Sequence, residues 1–71
     1  MSNSYENNDL KFAKENAKYE LEEYLNGIRI CNYITKEQES KILNNFDEWA
    51  KTAKYNDVYY YDSLAFIVKE R

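Results

Sequence analysis

A chain of 71 residues with one cysteine and no histidine is a single small domain, residues 1–71, that no internal disulfide can brace. No metal or cofactor is expected, because Cys31 and the carboxylates match no zinc or calcium spacing. A net charge of −3 argues against direct nucleic-acid binding, which needs a basic face, and no apolar run approaches the roughly 20 residues that cross a bilayer.

The opening stretch, "MSNSYENNDLK", has neither a basic nor an apolar leader region, so cytoplasmic residence is expected, and residues 1–6 are expected to be disordered. The first helix is predicted from Asp9 to Asn26. Asn7 or Asn8 serves as its cap, and Asp9 sits where the helix dipole favours negative charge. At about 100° per residue, Leu10, Ala13, Ala17, Leu21, Tyr24 and Leu25 share one face. Asn26-Gly27 is a suitable stop, with Gly27 taking the left-handed position.

This helix carries a second apolar face. Tyr5, Phe12 and Tyr19 recur at heptad spacing, opposite Leu10, Ala17 and Leu21. Beside them lies a flank of Asp9, Asn16, Glu20 and Glu23 that holds no lysine. Three occupants would account for such a stripe: the chain's own aromatic C-terminal segment, a second copy, or another protein. Phe12, Tyr19, Glu20, Glu23, Tyr5 and Asn16 are accordingly the candidate partner-binding residues.

"IRICNYI", residues 28–34, is rich in β-branched side chains and reads as an ordered loop or a short strand. Cys31 within it is expected to be buried and inert. Thr35 followed by Gln38 is a capping box, opening a second helix predicted from Lys36 to about Lys54. Ile42, Leu43, Phe46, Trp49, Ala50 and Ala53 form its apolar stripe.

The last segment, "NDVYYYDSLAFIVKER", supports two readings. As a helix it places Val58, Tyr61, Leu64, Ala65 and Val68 on one face. As β it gives two strands around Asp62-Ser63, though that turn lacks the preferred glycine. The helix is favoured, which yields an all-α, compact three-helix bundle with Leu10, Leu21, Leu25, Ile42, Phe46, Trp49, Tyr61, Leu64 and Val68 inside. The alternative is α+β, with a small two- or three-stranded sheet from residues 28–33 and 58–68.

Eight tyrosines in a chain this short either rim a small core or supply an interface. Without histidine, a glycine-rich phosphate loop or room for a deep cleft, no enzyme is expected. The expected function is that of a protein-binding module, a regulator or inhibitor whose acidic flank selects a basic, nucleic-acid-handling protein. A self-associating homodimeric subunit is the alternative, and no membrane contact is expected. Asn, Lys, Ile, Tyr and Glu dominate the composition and use AT-rich codons, which suggests a low-GC bacterial or phage genome. In size and charge the chain is similar to small phage-encoded inhibitors such as anti-CRISPR and antirestriction proteins.

Overall fold

The computed structural model describes residues 2–70, with side chains from Asp9 onward. Tyr5 and the other side chains before Asp9 lie outside the described residues. The order of elements is α1 (Ser2–Ile30), α2 (Lys36–Ala50), β1 (Val58–Tyr61) and β2 (Leu64–Ile67). The three-helix bundle is therefore incorrect, and the α+β class holds: two helices and a two-stranded antiparallel hairpin. Residues 28–33 contribute no strand, since they finish α1 and turn toward α2.

Why the hairpin wins over a third helix is visible at its tip. Val, Tyr, Phe and Ile favour strands. The missing glycine is replaced by Asp62, which takes φ 58°, a left-handed conformation that Asp tolerates better than most residues. With Tyr61 opposite Leu64, only Asp62 and Ser63 make the turn.

α1 is longer than its sequence pattern implies. It runs through Asn7 and Asn8 and continues past Gly27 to Ile30. The stop is Asn32, at φ 67°. Its N–H donates to the Arg29 carbonyl at 3.0 Å and the Tyr33 N–H to the Ile28 carbonyl at 2.9 Å, the paired bonds of a Schellman cap. Gly27 is thus an interior helical residue, and a Cβ added there meets nothing within 4 Å. Gly27→Ala is expected to stabilise the protein by about 0.5–1 kcal/mol by lowering the backbone entropy lost on folding. A thermal melt that fails to rise would show that Gly27 is strained or contacted.

α2 opens as expected. Thr35 Oγ1 accepts from the Gln38 N–H at 3.1 Å, and the Gln38 amide oxygen accepts from the Thr35 N–H at 2.8 Å. The helix ends at Ala50 rather than Lys54, in short-range turn bonds such as Ala53 N–H to the Ala50 carbonyl at 3.3 Å. Ala53, just past that end, is buried with Ala13 and Val68. Asn56 then donates to the Val68 carbonyl at 2.7 Å and Val68 to the Asp57 carbonyl at 2.9 Å, extending the pairing beyond β1 and β2.

The core lies where α1, α2 and the inner hairpin face meet. Leu21, Leu25, Phe46 and Val68 are fully buried, as expected, with Ala13, Ala17, Ala53 and Phe66 added. Leu64, assigned to the core, is exposed beside the turn. Phe46, Trp49 and Tyr59 form a cluster with ring centroids 5.1–5.3 Å apart. Tyr59 and Phe66 fall outside the core on a helical reading. On a strand of period two they face inward together, paired across the ladder. Ion pairs tie the helices: Lys18 Nζ to Asp47 at 2.9 Å, and Arg29 Nε to Glu39 at 2.7 Å. The second is an ion pair off the line of the N–H, since the buried Nε has no aligned acceptor. Cys31, expected to be buried, is exposed. It follows the last helical turn, while Ile28 and Ile34 on either side turn to the core.

Candidate partner-docking surface

α1 presents Phe12 and Tyr19 to solvent, 54% and 59% exposed. Among the described residues, the C-terminal segment leaves both more than half exposed. It uses Phe66 and Val68 against the α1 face of Ala13, Ala17 and Leu21, and so runs beside the stripe. Ile30, 65% exposed, continues the same line. It lies 18 positions after Phe12, a whole number of turns at about 100° per residue. Ending the helix at Asn26 hid this residue, and the stripe's length shows only once α1 reaches Ile30.

Carboxylates border the stripe on the β2 side, and charges of both signs border it on the α2 side. Glu20 and Glu23 lie toward β2, with exposed Asn16 between them and Phe12 along the helix. Glu15 and Glu22 lie toward α2, where helical spacing of about 100° per residue interleaves them with Lys11 and Lys18. The Tyr19 hydroxyl donates to Glu23 Oε2 at 2.9 Å. That bond and the Glu23 charge, with a smaller contribution from Glu22, push the phenol above its ordinary value of 10.0. Negative charge at the ring thus comes chiefly from Glu23.

The flank of Asp9, Asn16, Glu20 and Glu23 has one basic neighbour that its own helix does not reveal. Lys69, just past β2, lines a groove with Ala13, Asn16, Tyr19, Glu20 and Ile67, and a second with Phe12, Ala13 and Asn16. The α1 lysines lie on the α2 side: Lys11, Lys14 and Lys18, with Leu10 and Glu15, line a cleft of about 390 Å³ against Phe46, Asp47 and Ala50 of α2. The outer hairpin face carries Val58, Tyr60, Ala65 and Ile67, with no charge. Ile67 links it to Tyr19 across the Lys69 groove.

Comparison with protein-family models, with curated proteins and with solved structures finds no match to this chain.

Among the described residues, no three of His, Cys, Asp and Glu come together to hold a metal ion, and no helix is long and apolar enough to cross a membrane. What the arrangement offers chemically is a shape: flat rings standing beside a band of carboxylates on one flank. Such a band attracts cations before contact and leaves the rings to bury area after it.

Proposed function

We propose that this protein is a protein-binding module whose docking surface is the α1 stripe of Phe12 and Tyr19, flanked by Asn16, Glu20 and Glu23. Its partner is a basic protein, and a regulator or inhibitor of a nucleic-acid-handling protein, of the phage or mobile-element kind, is the role that fits. The carrying observation is that both rings are more than half exposed beside the flank of Asn16, Glu20 and Glu23, with Glu23 hydrogen-bonded to the Tyr19 hydroxyl. That flank also disfavours a second copy on the same stripe. A two-fold pair of antiparallel helices would set the acidic flank of Glu20 and Glu23 against its own like. A basic surface meets no such repulsion.

The test is charge reversal. Glu20→Lys with Glu23→Lys is expected to slow association of the basic partner about tenfold or more at low salt, with the contrast shrinking as salt screens it. The measurement is capture from lysate of the source cell with wild-type and variant baits, followed by association rates with the captured protein. A partner that is acidic, or that binds both baits alike, overturns the reading.

Self-association is the second reading, and one observation favours it: the outer hairpin face of Val58, Tyr60, Ala65 and Ile67 is uncharged, so two copies could meet there without repulsion. Light scattering across a concentration series separates the two, because a monomer at the highest concentration removes the homodimer.

A further inference from the structure

A cavity of about 470 Å³ lies at the other end of α1, lined by Tyr24, Ile28, Tyr33, Ile34, Tyr61 and Asp62. Its parts come from three places in the chain: the last turns of α1, the connection to α2, and the hairpin turn. Tyr24 and Tyr61 meet edge to face with centroids 6.1 Å apart. The Tyr24 hydroxyl makes a long contact to Asp62 Oδ2 at 3.4 Å, joining α1 to the hairpin turn. Tyr33 stands at the mouth, 79% exposed.

Three features decide which ligand chemistry suits this cavity. The lining holds three phenol rings and one carboxylate but no basic side chain. Ring faces and a carboxylate both attract a cation, and neither attracts an anion. The cavity also sits at the C-terminal end of α1, where the helix dipole is negative. Ile28 and Ile34 supply apolar wall for a methylene stem. The volume lies within the range of ligand pockets generally.

We infer that this cavity receives an arginine side chain of the basic partner, with the guanidinium between the tyrosine rings and Asp62. Arginine fits better than lysine here because its planar head stacks on rings while its N–H groups pair with a carboxylate. The inference rests on the reading that the partner is basic. It does not rest on the α1 stripe, because neither Phe12 nor Tyr19 lines the cavity.

The experiment needs no partner. Capped arginine is titrated into the protein and followed by backbone amide NMR, with capped citrulline as the uncharged isostere and tetramethylammonium as a free organic cation. Arginine is expected to shift Tyr24, Tyr33, Tyr61 and Asp62 with a dissociation constant on the order of millimolar, and citrulline to leave them in place. Tyr33→Ala and Asp62→Asn are each expected to weaken arginine about threefold or more. Both should fold, since Tyr33 is exposed and Asn accepts the positive φ of position 62. Phe12→Ala with Tyr19→Ala should titrate like wild type, so failure here and failure of the α1 surface are read separately. Equal shifts with citrulline, shifts centred elsewhere, or no response to arginine overturn the site. Tighter binding of tetramethylammonium than of arginine overturns the partner side chain as its occupant.

Discussion

Phe46→Ala is expected to leave this protein largely unfolded at physiological temperature. Phe46 is 1% exposed and touches both aromatic neighbours, with centroids 5.3 Å from Trp49 and 5.1 Å from Tyr59. Removing a buried phenylalanine ring costs about 3–5 kcal/mol. A domain of this length holds only about 4–10 kcal/mol in total. One side chain is then worth a large share of the whole, because no disulfide stands behind the packing. The change corresponds to a fall of roughly 15 °C or more in melting temperature. Circular dichroism reads the melt, and Trp49 emission reads the site itself, shifting red as its ring loses cover. Phe46→Leu should keep most of the stability, since it preserves apolar volume. If Phe46→Ala costs less than about 1 kcal/mol, the core does not centre on this ring.

Phe12→Ala with Tyr19→Ala is expected to do the reverse. Both rings stand in solvent and no core residue depends on them, so the melt should move by no more than about 0.5 kcal/mol for each exposed substitution. The Tyr19–Glu23 hydrogen bond that is lost is itself exposed. Binding is another matter. Aromatic anchors at the centre of an interface commonly contribute about 2 kcal/mol or more each, so the pair should weaken the partner about a hundredfold or more. Calorimetry or surface binding with the captured partner measures the loss, and a melt in parallel confirms the fold. If the double variant unfolds, the rings are part of the core. If it binds unchanged, the docking surface lies elsewhere on the molecule.

The exposure of Phe12 and Tyr19 on one line was readable from spacing, because a helix places positions seven apart on nearly the same line, whereas Ile30 was hidden by a predicted helix that stopped at Asn26. Phe12 and Tyr19 needed only that rule, and so did the carboxylates near them. Lys69 and Ile67 were not readable, because they reach the stripe from β2, across a contact no local pattern encodes. Cys31 misled for a related reason. Free cysteines tend to be buried, but a residue one step past a helix end faces wherever the cap turns it, and here that is outward.

The arginine cavity shows the same limit more sharply. Tyr24, Tyr33 and Tyr61 belong to three separate segments, and only the hairpin turn brings Asp62 to the end of α1. In the sequence they are simply three of eight tyrosines.

Local chemistry by itself determined the capping box at Thr35, the apolar stripe of α2 and the two-faced character of α1, since each depends on residues within a turn or two. Tertiary structure decided the state of residues 58–68, which satisfy both a helical and a strand period. Pairing Tyr59 with Phe66 buries rings against Phe46 and Trp49 that a third helix would have left outside the core. It also decided where α1 stops. Gly27 is a good terminator only if the chain must turn there, and burying Ile28 and Ile34 draws the turn on to Asn32. In both places several local conformations lie within about a kcal/mol of one another, and the apolar area buried by the whole fold selects among them.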